Sequence, residues 1–418
     1  MPNLNIDIAY YNDEQRNLFQ GFPNANVLNQ IVQNGISITE DEFLAYMMFT
    51  WQMDINGFRT YDDLKALVQN NLGAVNQLLS FNGGSIQARV IGNDLMQTGY
   101  TERIGVSLGL CLLNKIHNLT AADWKKIPTA PGRNGHPTFD FDIPIASTGN
   151  NFIQGENKGS AVADNSIQTN SIEAHYSSII RKKKYVREQE AQMQIPIHQN
   201  LYYGTIGVLD NRPNSNAKIW LVDPPAFEIE MDPKKYKLLA RLNFYLDEFR
   251  NIGVKKRITE ALEERIKEIE LSKDFMQLNF KKLDDRFPVS GGYYLYMEGR
   301  MFASIDTNEA FGRIFLIEDK QRVAAYLIAY PKTIMRLIVR QDFEAILDYA
   351  YSSDFMKEKV QVLMKYSKSD FAEYKMQDNL KFIFNERNRF FEAIYFGKVN
   401  YTSDGRIFGL LNQEIENE

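Results

Sequence analysis

The sequence predicts an α/β fold, with a mixed-sheet core over residues 99–230 flanked by mainly helical regions at 1–98 and 231–418. Three observations predict it. Residues 101–222 run through a helical segment, a hairpin, a second helix and two further strands in that order. On either side, apolar residues recur at three-to-four spacing, the period of a helix face. The 418 residues are 44% hydrophobic and 24% charged, enough apolar surface to bury more than one core.

Residues 1–98 read as an acidic helical accessory domain, because 40–53 and 60–72 carry helical spacing and Thr60 is a suitable N-cap. From Thr101 the pattern changes. Thr101 can cap a helix ending near His117, with Ile104, Leu108 and Leu112 on one face. Gly105 and Gly109 lie one turn apart on that helix and would let it approach a sheet closely. Residues 118–135 are rich in turn formers. Two strand-like runs follow, 138–145 and 151–156, joined by 146–150, which is a hairpin signal. A polar stretch, 159–170, leads to a helix expected over 171–192. Residues 201–209 and 217–222 then read as strands, closed by Asp223-Pro224-Pro225. Beyond them, 233–271 carries two long charged amphipathic helices, and 332–349 and 355–366 read as two more around a β-rich insert at 292–330.

Composition excludes several classes. No apolar run reaches the roughly 18 to 20 residues of a membrane span: 323–339 is interrupted by Pro331, Lys332 and Arg336. The opening MPNLNIDIAYYNDEQ lacks the basic head and apolar centre of a secretory signal, so a cytoplasmic protein is expected. The single cysteine, Cys111, and four scattered histidines leave no disulfide framework and no zinc-finger spacing, so a metal site here needs oxygen ligands. The formal charge is -5, but the first hundred residues alone hold ten acids against four bases, which leaves the remainder close to neutral. A nucleic-acid partner is therefore compatible with the charge.

The most informative segment is Phe139-Asp140-Phe141-Asp142-Ile143 followed by Phe152-Ile153-Gln154-Gly155-Glu156-Asn157-Lys158-Gly159. Residues two apart on a strand share a face, so Asp140 pairs in direction with Asp142, and Glu156 with Lys158. A hairpin would bring all four together. Converging carboxylates repel unless a cation lies between them, and hard oxygen ligands suit Mg²⁺, with Mn²⁺ as its substitute. Such an ion activates water and polarises a phosphodiester.

These residues resemble the PD-(D/E)XK, or restriction-endonuclease-like, nuclease superfamily, whose core runs helix, three-stranded meander, helix, strand. The resemblance covers residues 99–225 and implies a strand acid at Asp140 or Asp142 and the acid-x-Lys tripeptide at Glu156-Asn157-Lys158. It also implies a helix glutamate at Glu102. Asp140, Asp142 and Glu156 would hold the metal, and Lys158 would assist the attacking water. Phe139 or Phe141 stands where the family often has proline, and the first core strand is not evident within 118–135.

Acid-x-Lys alone is common, since Asp63-Leu64-Lys65, Asp123-Trp124-Lys125, Asp232-Pro233-Lys234 and Glu373-Tyr374-Lys375 also occur, each in a helical or turn context. Glu318-Asp319-Lys320 follows an apolar run, with Asp306 before it, and is the one rival; its acids fall at a strand end that reads as a turn. The plain alternative for the first constellation is a solvent-facing hairpin with cross-strand ion pairs. For Glu102 it is a dipole-favoured acid in a first helical turn.

The run Arg181, Lys182, Lys183, Lys184 and Arg187 is expected to contact nucleic-acid phosphates, its plain alternative being a solvated helix face balanced by Glu188 and Glu190. His175 and His136 are weaker site candidates, and Cys111, Tyr202, Tyr203 and Trp220 read as core. The expected activity is a metal-dependent endonuclease acting on DNA before RNA, with restriction or phage defence as its setting. The helical regions would serve self-association or a partner protein. The competing readings are a non-catalytic nuclease-like scaffold or nucleic-acid-binding subunit, and a glycosidase using the paired carboxylates.

Overall fold

The chain begins with a strand rather than a helix. In β1 (Asn3–Tyr10) exposed and buried side chains alternate, with Leu4, Ile6 and Ile8 turned inward, the period of two that a half-covered strand requires. The computed structural model describes residues 3–21, 25–49, 60–91, 98–126, 141–143, 153–193, 201–222, 233–272, 302–305, 310–319, 322–352, 360–366, 383–385 and 390–412. Contacts divide the chain into two units, one made of Met1–Ile55 and Asn71–Ala240, the other of Asn56–Asn70 and Arg241–Glu418.

After β1 come α1 (Asp13–Gln20), α2 (Ala25–Asn34), β2 (Ile36–Thr39), α3 (Glu40–Phe49), α4 (Tyr61–Leu78), β3 (Leu79–Asn82), β4 (Ser85–Ala88) and α5 (Thr98–His117). They are followed by β5 (Lys125–Lys126), β6 (Phe141–Ile143), β7 (Ile153–Ala161), α6 (Asn170–Met193), β8 (Leu201–Leu209), β9 (Ala217–Val222) and α7 (Pro233–Ile252). Seven strands of the first unit form one mixed sheet in the order β2-β1-β9-β8-β7-β6-β5. β5, β6 and β7 make an antiparallel meander. Helix α6 then carries the chain to β8, which runs parallel to β7, and β9 returns antiparallel. β1 lies parallel to β9, between it and β2. Residues 1–98 are therefore not a separate helical accessory domain, because their first strand is an interior member of this sheet.

Helix α5 is apolar nearly all round and is buried accordingly. One side faces the sheet. There a Cβ on Gly105 would collide with the Lys158 carbonyl, one on Gly109 with the Asn157 side chain, and one on Gly159 with the Thr101 carbonyl. Gly105 and Gly159 thus bring helix backbone and strand backbone into direct contact, and Gly109 makes room for the Asn157 side chain. The helix starts at Thr98, so Thr101 lies inside it rather than capping it, and it ends at Asn118, whose φ of 53° is left-handed. Its far side meets α3, where Asn114 Nδ2 donates to the Tyr46 hydroxyl at 2.8 Å and Trp124 Nε1 donates to Asn114 Oδ1 at 2.7 Å. On the other face of the sheet α6 buries Ile172 and Ile179 against Ile206, Val208, Trp220 and Val222. Tyr203, Trp220 and Cys111 are core residues, while the Tyr202 side chain lies outside the described residues.

The second unit is built around a sheet, not mainly from helices. It contains α8 (Lys256–Leu271), β10 (Phe302–Ile305), β11 (Ala310–Asp319), β12 (Arg322–Pro331), α9 (Lys332–Val339), α10 (Phe343–Leu347) and β13 (Val360–Tyr366). β14 (Ile383–Asn385), β15 (Phe390–Gly397), β16 (Asn400–Tyr401) and β17 (Ile407–Leu411) complete it. Eight strands pair antiparallel in the order β14-β15-β13-β10-β11-β12-β17-β16. The segment expected as a helix at 355–366 contributes β13 instead. Val360-Gln361-Val362 alternates with a period of two, and β10 and β15 supply partners on both sides.

Inside this unit Glu248 and Arg406 form a buried pair: Arg406 Nη2 lies 3.0 Å from Oε1, and the Tyr330 hydroxyl donates to Oε2 at 2.5 Å. Burial pushes the neighbouring Asp404 carboxyl above its ordinary pKa, against the pull of Arg406. Removing one member of such a pair costs about 3–5 kcal/mol, because the other charge stays buried.

Two glycine substitutions separate close approach from helix propensity. Gly159→Ala is expected to lower stability by about 2–3 kcal/mol through the collision with Thr101. Gly73→Ala in α4, where an added Cβ meets nothing within 4 Å, is expected to raise it by about 0.5–1 kcal/mol. Urea midpoints that moved the same way for both would contradict this packing.

Candidate functional site

The contact between α5 and β7 decides which side chains of β7 face which layer. Asn157 and Gly159 meet α5, and the Thr205 hydroxyl donates to Asn157 Oδ1 at 2.7 Å. Strand alternation then turns Glu156, Lys158 and Ser160 to the opposite face, beneath α6. There Lys158 Nζ lies 2.7 Å from Glu156 Oε1, and Lys182 Nζ, from α6, lies 2.5 Å from Oε2. Glu156 is 1% exposed, whereas the Lys158 and Lys182 side chains are 26% and 19% exposed. The carboxylate is enclosed and its cations reach toward water.

Helix α6 fixes this geometry at three points along β7. The Ser160 hydroxyl donates to Ser171 Oγ at 3.4 Å, His175 Nε2 lies 3.1 Å from the Gly159 carbonyl, and Lys182 closes on Glu156. His175, Ile179 and Lys182 fall four and three residues apart, one helical stripe. Burial holds His175 below its ordinary pKa, against the Gly159 bond, and the Lys158 ammonium pushes the same way as burial. His175 is thus a packed residue bonded to backbone.

A buried carboxylate loses several kcal/mol of hydration, so positive charge beside it is a requirement. A unit pair at about 4 Å attracts by about 4 kcal/mol at an effective dielectric constant of about 20. The ammoniums at 2.7 and 2.5 Å meet that requirement. They also stand where a dication would bind, so an ion such as Mg²⁺ could reach Glu156 only by displacing an ammonium, and among the described residues it would find one carboxylate in this cluster.

The other donors are less complete. The backbone of Asp142 is paired with Gln154, one strand over and two residues from Glu156 in register, but its side chain lies outside the described residues, as do Asp140 and His136. Among the described residues no group of three or more His, Cys, Asp or Glu could hold a metal.

The remaining candidates separate. Glu102 is exposed on α5, which covers the Asn157 face of β7, so the sheet stands between it and Glu156. The basic run does not form a single outward patch: Arg181 and Lys184 are exposed, Lys182 binds Glu156, and Lys183 is buried at 8% exposure. Arg187 is helical, with its side chain outside the described residues. The rival Glu318 and Asp319 end β11, paired with Val323 and Arg322 at a hairpin; Lys320 and Asp306 lie outside the described residues. The sequence reading missed Lys182 as a partner of Glu156. The signal was the stripe of His175, Ile179 and Lys182, which points one cation of the run inward.

No family model matches the chain, and neither the curated proteins nor the solved structures contain a significant match to it.

The ion cluster makes a stability prediction. Lys182→Met is expected to cost about 1–3 kcal/mol, because it removes one of the charges facing a buried carboxylate. Adding Glu156→Gln should recover most of that loss, giving a coupling free energy of at least about 1 kcal/mol in a double-mutant cycle. Strict additivity in urea denaturation would show that the pair does not form.

Proposed function

We propose that the first unit is a metal-dependent nuclease of the restriction-endonuclease-like class, hydrolysing phosphodiester bonds in DNA in preference to RNA. One observation carries the reading: Glu156 is buried with Lys158 on one face of β7, the strand that closes the meander and leads into the crossover helix. That is the position the family resemblance assigns to acid-x-Lys. The order α5, β5-β6-β7, α6, β8 also follows the helix, meander, helix, strand succession of that family's core. The first core strand, not evident from sequence, would be β5.

In this reading Glu156, with Asp140 or Asp142, holds Mg²⁺, which when bound acidifies a water and polarises the phosphodiester. The protein's own contribution is placement. β7 is an interior strand, hydrogen-bonded on both sides, so Glu156 presents its oxygens from a rigid backbone. Lys158, partly exposed beside it, would orient the attacking water and offset negative charge growing on the phosphate. Arg181 and Lys184, exposed on α6, would contact backbone phosphates outside the cluster. The proposal assigns no role to Glu102.

The test is cleavage of supercoiled plasmid, single-stranded DNA and RNA in Mg²⁺ or Mn²⁺. Cleavage should vanish with a chelator and fall by about a thousandfold or more in Glu156→Gln and in Lys158→Ala. Cleavage that survives both substitutions would place the site elsewhere. No cleavage of any substrate would favour the non-catalytic scaffold or nucleic-acid-binding subunit.

A further inference from the structure

Lys182 occupies a place that the proposed metal chemistry does not explain. Its ammonium lies 2.5 Å from Glu156 Oε2, while Lys158 reaches Oε1 at 2.7 Å, so both oxygens of the carboxylate already face a cation. A dication that coordinates Glu156 must take at least one of those oxygens. It also adds two positive charges to a poorly hydrated space, where like charges repel strongly.

The two lysines are not equally able to leave. Lys158 is bound to the same strand two residues from Glu156, and its backbone is clamped between α5 and β8. Lys182 belongs to another element. It crosses from α6 on a long flexible side chain, and its neighbours Arg181 and Lys184 are exposed, so solvent lies close along the same helix.

We propose that Lys182 is the resident counter-ion of Glu156, a positioning residue that holds the carboxylate in the metal-free protein and withdraws when a divalent cation binds. This rests on the metal-site reading of Glu156 and extends it to the regulation of that site. Binding of the ion and the Lys182 contact are then mutually exclusive. By linkage, each weakens the other by the same factor. The device keeps a buried carboxylate neutralised while no metal is present, and the departing ammonium becomes available to a substrate phosphate on the α6 side.

Isothermal titration of the full chain with Mn²⁺ alone tests this without any cleavage assay. Lys182→Gln is expected to bind Mn²⁺ about tenfold tighter than the natural protein. An unchanged or weaker affinity overturns the counter-ion role and leaves the nuclease reading standing. If neither protein binds the ion, the metal-site reading falls, and this inference falls with it. A second measurement needs no variant: reductive methylation of the natural protein, read by mass spectrometry, should label Lys182 at least about threefold faster when Mn²⁺ is present. Labelling that does not respond to saturating Mn²⁺ overturns the proposal, whatever the stability of Lys182→Gln.

Discussion

The first unit depends on the direct contact of two backbones, that of α5 on that of β7. Gly105 and Gly159 leave no room for a side chain between helix and strand, and Gly109 leaves room only for those of Asn157 and Thr205. Because a strand alternates its faces, seating Asn157 and Gly159 against α5 forces Glu156 and Lys158 to the side covered by α6. A carboxylate delivered there is shut off from water, and the chain answers with a lysine from its own strand and another from the helix above. Packing thus sets the electrostatics, and the electrostatics makes the cluster a candidate for chemistry. Burial of Glu156, at 1% exposure, makes the charges interact more strongly than they would in water.

Much of the local structure was legible in the sequence. The helix with paired glycines, the hairpin, α6 and the strands β8 and β9 were all signalled by spacing and turn residues over short distances. Non-local pairing was not. β1 is a clear alternating strand in retrospect, but its partner β9 lies some two hundred residues away, and the acidic, helical character of the residues following it dominated the reading. The second unit was obscured for a related reason. β13 and β15 are short runs whose strand character is fixed by each other, and a short apolar run does not distinguish strand from helix.

The candidate site was legible in its strand half and illegible in its helix half. Glu156 and Lys158 are two residues apart, so periodicity alone places them on one face. The partnership of Lys182 with Glu156 spans 26 positions and two elements, and it requires knowing how α6 lies across β7. The five cations of 181–187 looked equivalent by charge, yet helical geometry distributes the four at 181–184 among solvent, core and carboxylate. Glu102 failed for the opposite reason. Its position after Thr101 matched a pattern, while the glycine contact that seats its helix puts it across the sheet from Glu156.

The central claim is that Glu156 is a metal ligand whose charge is held by lysine until the ion arrives. Diffraction from crystals soaked in Mn²⁺, collected at the manganese edge, examines it most directly. The account predicts an anomalous peak at coordination distance from Glu156 and from Asp140 or Asp142, with the Lys182 ammonium no longer in contact with Oε2. Full Mn²⁺ saturation with no peak at Glu156, and both lysines still seated on its carboxylate, would contradict it.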